Sequence, residues 1–137
     1  MSNPLRIGAV ATATGVGVQT LRYYERRELL TAQGRTAGGY REYSADAVQR
    51  VLFIRHAQAM GFTLDEIRAL LALRVREQRR CAPVKQSAQV ARQRVREQLK
   101  VLHRMDDVLG QLIDACDAKS VTGDCPILAA LEFDERI

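Results

Sequence analysis

Long apolar runs are missing from this sequence of 137 residues. No stretch approaches the roughly 18–20 uncharged apolar residues that cross a membrane as a helix. The N-terminus also lacks a cationic segment followed by an apolar one, which is the pattern of a secretory signal. We therefore expect a cytoplasmic protein with no membrane partner.

Cysteine is scarce, and the motifs of common enzyme classes are lacking. The three cysteines are Cys81, Cys116 and Cys125, and an odd number cannot pair fully within one chain. In a reducing cytoplasm such thiols serve more often as metal ligands or reactive groups than as a disulfide framework. The sequence contains no recognisable nucleophile–base pairing, phosphate-binding loop or HExxH motif, so we do not expect an enzyme.

Positive charge is confined to one half of the chain. Residues 1–80 hold 13 Lys/Arg, all of them arginine, and 7 Asp/Glu, a net charge of +6. Residues 81–137 hold 8 Lys/Arg and 9 Asp/Glu, a net charge of −1. A basic module beside a near-neutral one indicates an anionic partner, of which nucleic acid is the commonest. A solvated arginine-rich surface is the alternative.

Two short helices separated by glycines open the chain. Residues Leu5 to Thr14 form an apolar pattern at helical spacing, Gly15 and Gly17 interrupt it, and a second helical pattern follows. This order predicts a helix-turn-helix whose second helix enters the major groove of DNA. The candidate contacts to phosphates or base edges on that helix are Thr20, Arg22, Tyr23 and Arg26.

A glycine-rich segment at 32–43 follows the second helix. Its sequence is AQGRTAGGYREY, which predicts a tight hairpin with arginine and tyrosine side chains at its tip. Beside a helix-turn-helix, such a hairpin is a wing whose arginines lie along the phosphate backbone; a plain connecting hairpin is the alternative. The cationic and aromatic residues there are Arg35, Tyr40, Arg41 and Tyr43.

Two further helices precede the middle of the chain. We expect Ser44 to cap the first, which ends at Gly61. Thr63 with Glu66 has the spacing of a capping box and predicts the start of the second.

A long helical pattern runs from Cys81 towards Cys116. Its apolar and small residues repeat at a mean step of 3.5, the heptad period of a helix that pairs with another helix. At 1.5 Å per residue, such a helix separates the two thiols by roughly 50 Å. The repeating positions are Val84, Ala88, Ala91, Val95, Leu99, Leu102, Met105, Leu109 and Leu112.

The chain resembles the MerR family of bacterial transcription regulators. The resemblance is carried by IGAVATATGVGVQTLRYYERRELL at 7–30, by GGYREYSADAVQRVLFIRHAQAMGFTLDEIRALL at 38–71 and by the long helix that follows. It implies a mainly α fold: a winged helix-turn-helix domain, two linking helices and a long antiparallel coiled-coil dimerisation helix. It also implies a homodimer that binds a palindromic operator in double-stranded DNA. On binding an effector, such a dimer distorts the promoter so that RNA polymerase can use it.

Within that family the cysteines are similar to those of sensors of divalent metals. The resemblance implies that Cys81 of one chain and the partner's Cys116 and Cys125 bind one ion. Thiolates select soft ions such as Hg(II), Pb(II), Cd(II), Zn(II) or Cu(I). The segment ACDAKSVTGDCPIL at 115–128 is most similar to the mercury-responsive members, so Hg(II) is preferred, with Pb(II), Cd(II) and Zn(II) as alternatives. A thiol redox sensor of the same fold is a further alternative. The alternative without a function for the thiols is that the three cysteines are buried and inert.

These observations divide the chain into three parts. We expect a DNA-binding domain with its linking helices at 1–74, a connection and dimerisation helix at 75–115, and a metal-binding loop with a short C-terminal helix at 116–137.

Overall fold

A computed structural model describes residues 4–75, 81–118 and 125–133, and these are mainly helical. The chain forms two compact units, Met1–Arg92 and Gln93–Ile137. The predicted helix-turn-helix, wing and long helix are confirmed. The elements, in chain order, are α1 (Ile7–Thr14), α2 (Val18–Arg26), β1 (Gly34–Arg35), β2 (Arg41–Glu42), α3 (Asp46–Ala59), α4 (Leu64–Val75), α5 (Cys81–Ala118) and α6 (Pro126–Phe133).

The first unit has one apolar core, to which α1–α4 and the segments between them all contribute. Burying these side chains removes apolar surface from water and holds the short helices together, since helices of eight or nine residues are marginal in isolation. The core residues are Val10, Val16, Leu21, Tyr24, Leu29, Leu30, Tyr43, Ala47, Val51, Ile54, Ile67 and Leu71.

The start of α1 differs from the prediction. The sequence pattern placed Leu5 in the helix, but α1 begins at Ile7. Leu5 instead pairs with Tyr43, each amide donating to the other's carbonyl at 2.7 and 2.6 Å. The chain is therefore extended where it enters α1, and this entry is held against the end of β2.

The predicted hairpin is a two-stranded antiparallel ribbon. Gly34 pairs with Glu42, and Arg35 pairs with Arg41. One residue of the predicted tip is placed differently: Tyr43 is fully buried in the core, because it pairs with the segment before α1. The wing is thus attached to the core at the end of β2.

One predicted helix cap is confirmed and one is wrong. The Thr63 hydroxyl accepts from the Glu66 amide at 3.2 Å, and the Glu66 carboxylate accepts from the Thr63 amide at 2.8 Å, as in a capping box. Ser44 does not cap α3 through its side chain. The N-cap residue is Ala45, and Ser44 contributes only its carbonyl, which accepts from the Ala47 amide at 3.0 Å.

Helix α5 has 38 residues and is longer than the prediction. The pattern placed Cys116 just beyond its end, but α5 continues to Ala118, so this cysteine lies in the last turn. Within the described residues, no helix is long and apolar enough to cross a membrane. The predicted connection over 76–80 and the part of the predicted loop at 119–124 lie outside the described residues.

Candidate DNA interface and thiol positions

The side chains predicted to contact DNA are all exposed. On α2, Leu21 and Tyr24 point into the core, and the four candidates on this helix are exposed. The wing contributes three further candidates, which lie in β1, in the turn and in β2. The exposed candidates are Thr20, Arg22, Tyr23, Arg26, Arg35, Tyr40 and Arg41.

Five of these seven side chains line one cleft. It has a volume of about 990 Å³ and lies between the start of α1, the outer face of α2 and the wing. Among the described residues, five arginines and one carboxylate, Glu25, border it, so its electrostatic potential favours an anion. Thr20 and Tyr23 are exposed on α2 but do not line this cleft. The five predicted residues in it are Arg22, Arg26, Arg35, Tyr40 and Arg41.

Arg41 is engaged within the protein. Its guanidinium makes a short ion pair with the Glu25 carboxylate, which also accepts a hydrogen bond from the Tyr43 hydroxyl. Arg35 lies directly opposite Arg41 in the ribbon, and two like charges in such a pair repel each other. Glu25 therefore offsets the repulsion between the strands and fixes the wing to α2.

Sequence reasoning missed Arg6, which also lines the cleft. Its guanidinium carbon lies 4.5 Å from the centre of the Tyr40 ring. The one available signal was a cation directly before a helix that opens a helix-turn-helix. The stacking partner could not be identified, because Tyr40 lies 34 positions later and the two meet only through the wing.

Tyr23 interacts with the arginines at the end of α2. The Arg26 and Arg27 guanidinium carbons lie 5.8 and 6.0 Å from the centre of its ring, and Arg27 donates to its hydroxyl at 3.1 Å. Arg27 also pairs with Asp65 of α4 at 3.0 Å, and Arg68 pairs with the same carboxylate at 2.6 Å. The hydrogen bonds from Arg68 and then Arg27 lower the pKa of Asp65.

Cys81 is exposed at the first residue of α5. It lines an apolar cleft of about 520 Å³ in the first unit, together with His56 and side chains from α3 and α4. The histidine was not predicted to share a cleft with the thiol, because the two residues lie 25 positions apart and only the fold places both along its lining. The other lining residues are Phe53, Ala57, Met60, Phe62, Leu70, Leu73, Arg74 and Val84.

Cys116 and Cys125 are half-buried, in the last turn of α5 and directly before α6 respectively. The Cys125 carbonyl accepts from the Ala129 amide at 3.0 Å and begins the hydrogen bonding of α6. In the described part of one chain, no three His, Cys, Asp or Glu side chains form a group that could hold a metal ion. The three thiols are free, and as thiolates they are donors that fit a soft ion.

Comparisons with known proteins agree with this arrangement of elements. Residues 5–73 match the family described as MerR HTH family regulatory protein, and residues 48–112 match the one described as MerR, DNA binding. The chain is 40% identical over 132 residues to a mercuric resistance operon regulatory protein of Serratia marcescens, covering 96% of this chain and 90% of that protein.

Two other similarities extend over nearly the whole chain. The HTH-type transcriptional regulator ZntR of Escherichia coli strain K12 is 39% identical over 129 residues, covering 93% of this chain and 92% of that protein. The crystal structure of the transcription regulator PbrR691 from Ralstonia metallidurans CH34 in complex with lead(II) superposes with a TM-score of 0.75 at 38% identity. It covers 93% of this chain and 98% of that one. The chain therefore belongs to the MerR family of helix-turn-helix regulatory proteins.

Proposed function

We propose that this chain is a metal-responsive transcription regulator and not an enzyme. It acts in the cytoplasm as a homodimer on a palindromic promoter operator. On binding a soft divalent ion it distorts that DNA, so that RNA polymerase can use the promoter. The observation that carries the proposal is the placement of Cys81 at the first residue and Cys116 in the last turn of one helix.

The proposed homodimer rests on the apolar stripe of α5. Side chains that repeat at the heptad period are exposed along the described single chain, as in a helix that lacks its partner. Pairing two such helices buries these side chains against each other. The large exposed members of the stripe are Val84, Val95, Leu99, Leu102, Met105 and Leu109.

The proposed metal site is shared between two chains. Cys116 lies 35 residues after Cys81 in one continuous helix, so the two are roughly 50 Å apart, too far for both sulfurs of one chain to bind one ion. An antiparallel pair places the start of one helix beside the end of the other. Cys81 of one chain and the partner's Cys116 and Cys125 then form each of two symmetric sites.

Hg(II) is the ion we propose first, with Pb(II), Cd(II) or Zn(II) as alternatives. Three thiolates suit a soft ion of low coordination number, whereas Zn(II) normally takes four ligands. The relative from Serratia marcescens is named for mercuric resistance, and the structural relative was crystallised with lead(II).

The proposed signal passes through the chain from the thiols to DNA. Cys81 begins α5, and α4 packs on the core that carries α2 and the wing. The division into 1–74, 75–115 and 116–137 follows this path and stays a prediction. Operator affinity and transcription in vitro, each measured with and without metal, test the mechanism. Metal that only released the protein from DNA would contradict it.

A mixed dimer tests the shared site directly. One chain carries Cys81→Ser and the other carries Cys116→Ser with Cys125→Ser, and two affinity tags isolate the heterodimer. One of its two shared sites then keeps all three thiols, so we expect one Hg(II) per dimer by thiolate–metal absorbance. If each site instead lay within one chain, every site of the heterodimer would lack at least one thiol. The heterodimer would then bind Hg(II) no better than either mutant homodimer. Peroxide-induced disulfides with activation independent of metal would instead support a thiol redox sensor.

A further inference from the structure

Arg6 and Tyr40 form a stacked pair at the edge of the arginine-rich cleft. The 4.5 Å between the guanidinium carbon and the ring centre is the geometry of a cation–π contact. Arg6 directly precedes α1, and Tyr40 lies at the end of the wing turn, where it is 59% exposed. The pair therefore joins the first helix to the wing at the surface that faces DNA in the proposed function.

The backbone holds both members of this pair in place. The neighbouring Leu5 pairs with Tyr43 through two hydrogen bonds, of 2.7 and 2.6 Å, which hold the chain directly before Arg6. The Arg6 carbonyl accepts from the Ala9 and Val10 amides at 2.9 and 3.1 Å, which fixes the chain after it. The Tyr40 carbonyl accepts from the Thr36 amide at 2.7 Å, and its amide donates to the Thr36 hydroxyl at 3.1 Å. The backbone that carries both side chains is therefore fixed before any ligand arrives, which reduces the entropy lost on binding.

Few anionic side chains lie near the Arg6–Tyr40 pair. Glu25 is the one carboxylate among the described side chains that line the cleft, and it already accepts from Arg41 and Tyr43. The Arg6 guanidinium carries five N–H donors, so donors remain for a ligand beside its contact with the ring. Those donors match the oxygens of a phosphate in geometry and charge.

We propose that Arg6 contacts a phosphate of the DNA backbone and that the ring of Tyr40 orients its guanidinium for that contact. This rests on the proposed function, because the DNA is the same operator. Arg41, in contrast, positions the wing through Glu25. The contact carries no base information, so it supplies affinity for any sequence and fixes the register of the protein on the duplex.

Salt dependence distinguishes a phosphate contact from a packing role. Log K falls as log salt rises, and each neutralised phosphate adds about 0.9 to the steepness of this negative slope. Arg6→Met in both chains of a dimer is therefore expected to reduce the slope by about 2, with equal losses on the operator and on unrelated DNA. Arg104→Met, on α5 and outside the cleft, removes the same charge and should leave the slope unchanged.

Substitutions of Tyr40 test the orienting role. Tyr40→Phe keeps the aromatic face and should lose less affinity than Tyr40→Leu, which should lower the affinity several-fold. In the Arg6→Met background, Tyr40→Leu should have a much smaller effect, because there is no guanidinium left to orient. If Arg6→Met does not fold, Arg6→Lys replaces it: the charge and the slope persist, and the affinity falls.

Two results would overturn the assignment, and they differ. An unchanged slope for Arg6→Met, with a lower urea midpoint, makes Arg6 a packing residue only. If Arg26→Met also leaves the slope unchanged, the cleft is not the DNA surface and the proposed function loses its binding site. A reduced slope for Arg26→Met alone confines the failure to Arg6.

Discussion

Glu28 and Gly61 occupy the same position in two copies of one helix-ending motif. Each has a positive φ, +61° for Glu28 after α2 and +96° for Gly61 after α3. In both, the residue's own amide donates to a carbonyl three positions back at 3.0 Å. The next amide donates to a carbonyl five positions back, at 2.9 Å after Glu28 and 3.1 Å after Gly61. Glycine is the usual residue there, because it adopts a positive φ without steric cost.

Glu28→Gly should therefore stabilise the protein. Relief of the left-handed backbone conformation is worth about 1 kcal/mol in the free energy of unfolding. The carboxylate that is lost makes only an exposed ion pair with Arg68, at 3.4 Å, and such pairs contribute little. Urea unfolding at a fixed chain concentration measures the change.

The two matched controls are Glu28→Ala and Gly61→Ala. The first removes the same carboxylate but keeps the backbone strain, so it should not gain stability. The second introduces strain at the equivalent position and should lose about 1 kcal/mol. The interpretation fails if Glu28→Gly is less stable than Glu28→Ala.

Glu25→Gln should weaken both the fold and DNA binding. The Glu25 side chain is only 11% exposed, and its carboxylate accepts from the Arg41 guanidinium and the Tyr43 hydroxyl. Hydrogen bonds to a charged group are worth about 2 kcal/mol, so we expect a loss of that size in urea unfolding. Operator affinity should also fall, because the wing loses its attachment to α2.

The control for that change is Glu42→Gln, which removes a carboxylate from β2, next to Arg41. It should leave stability and operator affinity close to those of the unmodified protein. Equal losses for Glu25→Gln and Glu42→Gln would mean that net charge, and not the attachment of the wing, governs the effect.

Asp65 should make stability depend on acid pH. Hydrogen bonds from Arg68 and then Arg27 lower its pKa in the folded state. A carboxyl with a depressed folded pKa stabilises the protein above its unfolded pKa of about 3.9, and this contribution is lost as pH falls through the folded value. Asp65→Asn should therefore be less stable at pH 7, and the difference should shrink as pH falls below about 4.

A comparison with Asp46→Asn isolates the arginine hydrogen bonds. Asp46 and Asp65 both lie in the first turn of a helix, α3 and α4 respectively. Thermal unfolding of both variants between pH 7 and pH 2 separates the effect of the arginines from that of any first-turn carboxylate. If the loss of stability in Asp65→Asn did not change with pH, the proposed effect of the arginines on Asp65 would be wrong.

Thr63→Ala should destabilise the start of α4 by about 1 kcal/mol. The substitution leaves the Glu66 amide without its side-chain acceptor, and loss of a helix cap typically costs that much. Ser44→Ala should change stability by much less, because no side chain caps α3. Urea unfolding measures both changes. Equal losses of stability for Thr63→Ala and Ser44→Ala would contradict the conclusion that α4 has a side-chain cap and α3 does not.

Features set by a few neighbouring residues could be predicted from the sequence. The capping box at Thr63 and Glu66, the stop at Gly61 and the hairpin at 32–43 each depend on short-range geometry, and each is present. The exposed face of α2 followed from helical periodicity in the same way.

Features set by contacts between distant residues could not be predicted. Tyr43 is buried because it pairs with Leu5, 38 positions earlier, and a tyrosine beside arginines has the composition of an exposed tip. The pairing of Arg41 with Glu25 depends equally on how the wing folds back onto α2. Cys116 lies inside α5 because no glycine or proline between Leu112 and Ala118 ends the helix.

The burial of Tyr43 has a mechanical consequence. Its ring belongs to the core, its backbone holds the entry to α1, and its hydroxyl reaches Glu25 on α2. The wing cannot swing on its own without breaking all three attachments. In the proposed function, we therefore expect a signal that arrives along α5 to move the wing and the helix-turn-helix together. The DNA-binding domain is then expected to change its position on the DNA and to keep its shape.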